Sequence, residues 1–208
     1  MRRGLPLNFI DEAIIKLRID ADIRGLPTSI DLARGQVICD TLYSFEAMQL
    51  FDKVLEIVLP QEFAPMPEGL AAKKYLASQK PQVIFTSRDY TTDITLNLLR
   101  EALKPDQVLA CLRKLRSTIQ GAYPATLFYD EETLDAVGIS VAYMDYKSFS
   151  LNGPIYNIMF VSAICNRPLV GTFNCPFGFW EVWRPAAVEM LKTIRETTRR
   201  ERFGRRGI

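Results

Sequence analysis

No histidine occurs anywhere in the 208 residues. That absence removes Ser-His-Asp and Cys-His nucleophile pairs, zinc or haem held by a His ligand, and any imidazole able to move protons near neutral pH. Cysteine is scarce: Cys39, Cys111, Cys165 and Cys175 include no close pair of the kind that marks a zinc or thioredoxin motif. Neither sign of charge dominates, because 26 Lys and Arg stand against 24 Asp and Glu for a net of +2, and bulk composition therefore gives no polyanion-binding surface. Long hydrophobic runs are missing as well. The longest uncharged window, Ser148 to Asn166, is split by the turn signal Asn152-Gly153-Pro154 and reads as two strands rather than a membrane span. Asp11 and Glu12 interrupt the N-terminus before a signal-peptide core can form, and Cys39 follows Gln36-Val37-Ile38 in place of the small residues that precede a lipoprotein cysteine. The expectation is a soluble cytoplasmic protein with no membrane segment.

What is present suffices for one well-packed domain. Hydrophobic residues make up 48% of the chain and charged residues 24%, within the range of globular proteins. By pattern the chain divides into an N-terminal extension over 1–50, one domain over 51–196 and a basic tail over 197–208. In the extension, Asn8 caps a helix whose Ile10, Ile14, Leu17 and Ala21 share a face and which Gly25 and Pro27 end. A strand through Ile15, Leu17 and Ile19 is the alternative; the helix is preferred, and a second helix is read over Thr41 to Phe51.

From Lys53 onward the alternation is clearer. Leu55, Ile57 and Leu59 form a strand with one wet face, closed by Pro60. A proline-rich loop, a short helix over Glu68 to Tyr75 and a strand over Gln82 to Thr86 follow. Ile94, Leu96 and Leu98 then alternate with Thr95 and Asn97 as its hairpin partner. Pro105 and Asp106 open a helix with a buried stripe of Val108, Leu112, Leu115 and Ile119, stopped by Gly121. After an acidic turn at Asp130 to Asp135 come three antiparallel strands, Ile139 to Leu151, Ile155 to Ile164 and Leu169 to Cys175, joined by turns at Asn152-Gly153 and Asn166-Arg167. The middle one is apolar on both faces and is expected to be central, covered on each side. Pro185 opens a closing helix that buries Trp183, Ala187, Met190, Leu191 and Ile194. The fold class is α+β, an antiparallel sheet flanked by helices. With the hairpin centred on Asn166-Arg167, Cys165 lies beside Pro168 and Cys175 opposite Ile158, roughly 20 Å further along at strand spacing. A disulfide needs alpha carbons within about 7 Å, so reduced thiols are expected.

The same element order resembles the PsbP-like fold, including the bacterial DcrB-related proteins. The residues that carry it are Leu55 to Pro60, Lys104 to Gly121, Tyr156 to Gly171 and Trp183 to Ile194, within a span of about residues 51–196. The resemblance implies a compact, non-catalytic binding domain. Some DcrB-related proteins are chaperones or adaptors for secretion-system effectors, and others are envelope proteins.

Candidate sites are weighed residue by residue. Asp130, Glu131, Glu132 and Asp135 offer oxygen ligands for a hard cation, but their spacing matches no known loop and a solvated turn is preferred. Asp145 and Lys147 share a strand face; an exposed edge pair is preferred over a nucleophilic lysine. Cys175, in Asn174-Cys175-Pro176, lacks a histidine to ionise it. The aromatic segment after Phe173 must in part cap the core, and in part it offers an apolar surface to a protein partner through Phe177, Phe179, Trp180, Trp183 and Arg184. Lys192 to Arg206 concentrates seven basic residues against two acidic ones. Arg199, Arg200, Arg202, Arg205 and Arg206 are the contacts it offers to nucleic acid or an acidic partner, although complementing a helix C-terminus explains much of this charge. No cofactor and no metal is called for. The leading expectation is a non-enzymatic adaptor that binds a protein, a second copy of itself included. Binding through the basic tail, and an enzyme with a carboxylate, lysine or thiol nucleophile, Lys147 and Cys175 being the lysine and the thiol, are the alternatives.

Overall fold

The computed structural model describes Gly25 and residues 30–38, 40–75 and 80–197. The helix read over Asn8 to Ala21 lies outside the described residues. Those described form strands β1 (Gln36–Ile38), β2 (Thr41–Tyr43), β3 (Phe45–Leu50), β4 (Leu55–Pro60) and β5 (Ala64–Pro65), helix α1 (Glu68–Lys74), and strands β6 (Val83–Thr86) and β7 (Asp93–Leu98). They continue with helix α2 (Val108–Ala122), strands β8 (Leu127–Ala136), β9 (Ile139–Ser150), β10 (Gly153–Ile164) and β11 (Arg167–Pro176), helix α3 (Trp180–Lys192) and β12 (Arg195–Glu196). All pairings are antiparallel, and the main sheet runs β5-β6-β7-β11-β10-β9-β8.

The period of two along each strand sorts the sheet into two apolar faces. Tyr143, Phe160, Phe173, Leu96 and their neighbours pack against Trp180, Trp183, Ala187, Met190 and Leu191 of α3 and against Leu55, Ile57 and Leu59 of β4. Ala142, Met144, Tyr146, Val161 and Ala163 pack on the opposite face against Val108 and Leu112 of α2, and Ala71 of α1 covers Ile84 nearby. Strand β10 is thus flanked by β9 and β11 and roofed on both sides, as its doubly apolar sequence requires. The close fit is visible at Gly171, which registers with Phe160: a Cβ there would overlap the Phe160 ring, so only glycine lets the ring lie across β11.

Several expectations are corrected. Thr41 to Phe51 is extended, not helical: β3 pairs with β4 from Phe45 opposite Pro60 to Leu50 opposite Leu55, around a turn in which Phe51, Asp52 and Lys53 all have positive φ. A partner strand decides this, and no local periodicity announces it. Helix α2 runs through Gly121 and ends before Tyr123, which precedes Pro124 and is pushed out of the helical region by it. Helix α3 starts at Trp180 and carries Pro185 in its interior; the 3-10 turn Phe177–Phe179 leads straight into it, so Gly178 does not break the chain. The β10–β11 turn is centred on Cys165 and Asn166, both with positive φ, as the primed hairpin turns demand. The shift moves the register by two, so every side chain keeps its face, and Cys175 lies opposite Tyr156 instead of Ile158. Cys165, in the turn before β11, and Cys175, near the far end of that strand, still lie well apart along the sheet.

The acidic stretch from Asp130 to Asp135 is not a turn but part of edge strand β8, with a register irregularity between Phe128 and Glu131. Carboxylates and a bulge on an edge strand discourage another strand from adding to it.

Candidate functional site

Exposed apolar side chains gather where the β9–β10 hairpin turns beside the C-terminal end of α2. A groove of about 510 Å³ opens there, lined among others by Ile119, Tyr123, Tyr146, Phe149, Ile155 and Met159. Its floor is set by sheet register. Tyr146 and Met159 project toward α2, and the Asn157 side chain donates to the Ser148 hydroxyl at 2.9 Å and to the Ile155 carbonyl at 3.2 Å, tying the two strands together at the groove. One wall is the last turn of α2 and the loop through Tyr123 and Pro124. At the rim Tyr123 is 67% exposed, and Leu151, just beyond the lining, is 106% exposed; the Phe149 ring, 57% exposed, turns to the other face of the sheet, where Lys147 lies 5.4 Å from its centre. Among the described residues no charged side chain lines the groove. A neutral, apolar occupant loses no paired charge on entry, whereas an ionic one would be desolvated without a counter-charge.

The sequence carried one clue to this place. Phe149 and Leu151 flank the Asn152-Gly153 turn, and large apolar residues at a hairpin tip have no core to enter. Tyr123 and Ile155 gave no such signal, because only the docking of α2 against β9 and β10 brings them together.

The aromatic segment proposed as a surface splits between core and exterior. Trp183 is 2% exposed and meets Tyr43, Phe63 and Phe173 with ring centroids 5.0 to 5.7 Å apart; Trp180 is 4% exposed and packs on Tyr156 and Phe177. Neither can meet a partner. Phe179 is exposed, and Phe177 is half-buried with the Lys147 ammonium 4.1 Å from its ring centre. The residues Arg199, Arg200, Arg202, Arg205 and Arg206 lie outside the described residues.

Arg184 has a structural partner inside. Its Nε donates to Asp145 Oδ2 at 2.8 Å and its Nη2 to Asp130 Oδ2 at 3.1 Å. Asp145 is fully buried in β9, so the exposed edge pair with Lys147 is a misreading: an extended run ending at a hairpin tip does not reveal how far along it the covering helix reaches. The same carboxylate accepts from the Tyr156 hydroxyl at 2.7 Å and from the Asp130 backbone N–H at 2.8 Å. The other β8 acids also have partners, Glu131 with Arg113 and Arg116, and Glu132 with the Tyr143 hydroxyl. A second buried acid, Asp93, is held by Lys74, by the Thr86 hydroxyl at 2.6 Å and by Tyr75. Neither acid lines the groove.

These surroundings shift the tyrosines in one direction. Burial pushes Tyr146 up to about 12. Burial, then the negative charge of Asp93, raises Tyr75; burial raises Tyr143, with Arg184 opposing; burial and then Asp145 raise Tyr156. Burial works against the charge on Arg184, yet the Asp145 carboxylate holds it above its ordinary value. An unfolded phenol ionises near pH 10 while the folded one keeps its proton, so this contribution to stability is intact below about pH 10 and is lost as pH rises beyond it. For Tyr146 the loss is about 1.4 kcal/mol per pH unit up to its folded value. Phenolate absorbance and loss of circular dichroism are therefore expected to rise together above about pH 10. A gradual titration of all the tyrosines with the fold retained would contradict this.

A smaller hollow of about 260 Å³, lined by Gly138, Ser140, Cys165, Asn166 and Glu196 among others, lies at the opposite end of the sheet. The Glu196 carboxylate there accepts the Cys165 N–H at 2.8 Å. Cys175, the thiol weighed as a nucleophile, is fully buried.

No family model matches the chain, and no curated protein sequence matches it. The solution structure of cyanobacterial PsbP (CyanoP) from Synechocystis is similar with a TM-score of 0.54 at 10% identity, over 73% of this chain and 92% of that one. A protein from Bacteroides thetaiotaomicron gives 0.46 at 10% identity over 73% of this chain and 48% of its own. A Pseudomonas aeruginosa protein of unknown function, described as a putative regulator, gives 0.42 at 10% identity over 72% and 94%. The fold is PsbP-like, as the element order implied, and an identity of 10% speaks to the fold alone. No described helix is long and apolar enough to cross a membrane.

Proposed function

We propose that this chain is a non-enzymatic, cytoplasmic binding domain that receives an apolar, uncharged segment of a protein partner in the groove between α2 and the β9–β10 hairpin. The observation that carries the reading is the groove itself: about 510 Å³ of space with no charged side chain in its lining among the described residues and the Tyr123 ring exposed at its rim. Burying one aromatic or aliphatic side chain in such a site supplies about 1.5 to 3 kcal/mol, enough for one anchor of a larger interface. The buried acids and Arg184 support binding over catalysis, since each is occupied in holding strands and helices together.

The test uses N-acetyl-phenylalanine amide, a neutral stand-in for a partner's aromatic side chain, titrated into the full chain and followed by methyl NMR. Saturable shifts at Ile119, Ile155 and Met159 are expected, with a dissociation constant on the order of millimolar for a single anchor. Ile155→Trp, which fills the groove, is expected to weaken binding at least about tenfold. Shifts spread evenly over the surface, or none in the groove, would remove this reading.

A further inference from the structure

We propose that the occupant of the groove is a second copy of this chain, inserted by its hairpin tip; this rests on the groove being a binding site. Leu151 stands at the tip of the β9–β10 hairpin at 106% exposure, covered by nothing among the described residues. The groove begins one residue away, at Ser150 and Phe149 on one strand and Ile155 on the other. A knob and a hole of matching chemistry therefore lie side by side on one end of the sheet. Two such ends related by a twofold axis satisfy both copies at once: the Leu151 of each protomer enters the groove of its partner, the closed arrangement that self-complementary surfaces form.

Charge points to the same occupant. Ser148 to Asn166 contains no charged residue, so the whole hairpin tip is neutral, and so is the lining of the groove it would enter. Two copies can join tip to groove without burying an unpaired ion, since the nearest cation, Lys147, lies on the other face of the sheet against the rings of Phe149 and Phe177. A tip of the usual polar kind would be excluded from the groove, and a groove with a charged lining would exclude this tip. Tyr123, exposed at the rim, would close over the inserted side chain and keep water from it, as the surround of a buried anchor does. The patch occupies only one end of the molecule, so the association is a weak one.

Sedimentation equilibrium of the full chain tests this. A monomer–dimer equilibrium with a dissociation constant of about 10 μM is expected. Leu151→Ser is expected to weaken it at least about tenfold while leaving unchanged the melting temperature of the monomer, measured at about 1 μM or below, because Leu151 contributes nothing to the core. N-acetyl-phenylalanine amide at saturating concentration is expected to dissociate the wild-type dimer. A monomer at every concentration up to about 200 μM overturns the proposal, as does a dimer that Leu151→Ser and the amide leave untouched. If the amide still binds the groove of such a monomer, the groove remains a binding site and its occupant is another protein; if it does not, both readings fall.

Discussion

Asp145→Ala is expected to cost about 4 kcal/mol of folding stability, the largest loss of any single substitution in the sheet. The side chain it removes is fully buried and accepts three hydrogen bonds, from Arg184 Nε, the Tyr156 hydroxyl and the Asp130 N–H. Arg184, only 12% exposed, would keep its charge and lose its best counter-ion. Asp130, at 35% exposure, would remain as a partly solvated substitute. A domain of this size shifts its melting temperature by about 2 to 4 °C per kcal/mol, so a drop on the order of 8 to 16 °C is expected by calorimetry. Combining Asp145→Leu with Arg184→Met removes both charges and is expected to recover much of the loss, since a buried pair exchanged for apolar residues is often neutral. A single variant that melts within about 2 °C of wild type would show that the pair holds nothing.

Trp183→Ala is expected to cost about 4 kcal/mol, through lost burial and the cavity left behind. The indole touches rings from three separate parts of the chain, Tyr43 in β2, Phe63 in the loop before β5 and Phe173 in β11. Its removal therefore loosens the N-terminal strands, the main sheet and α3 together. Phe179→Ala, in the same aromatic segment but exposed at 44%, is expected to change stability by no more than about 0.5 kcal/mol. Denaturant melts of the two variants side by side separate core from surface within the segment. Equal losses would mean that Phe179 is packed as tightly as Trp183.

These two residues also mark how far reading the chain could go. Trp183 was legible as a member of an apolar helix face, and its neighbours Met190, Leu191 and Ile194 are buried with it. Phe177, Phe179, Trp180, Trp183 and Arg184 were nevertheless grouped as a surface. Proximity in sequence does not say that successive residues at the start of a helix point to different sides. Once α3 begins at Trp180, its 3.6-residue turn sends Trp180, Trp183 and Ala187 inward and leaves Val182 and Phe179 outside. Asp145 was misread for the complementary reason. A polar residue in an apolar strand pattern suggests an edge, and its partner Arg184 is 39 residues away on another element.

Binary pattern alone determined the α+β class, the hairpin of β6 and β7, the three long antiparallel strands and the buried place of β10, because strand alternation and helix periodicity are local properties of neighbouring residues. Tertiary structure decided the pairing of β3 with β4, the burial of the Asp145–Arg184 pair and the groove at the hairpin tip. Each of these depends on which face of one element meets another across the chain, and that is settled by packing, where neither periodicity nor composition reaches.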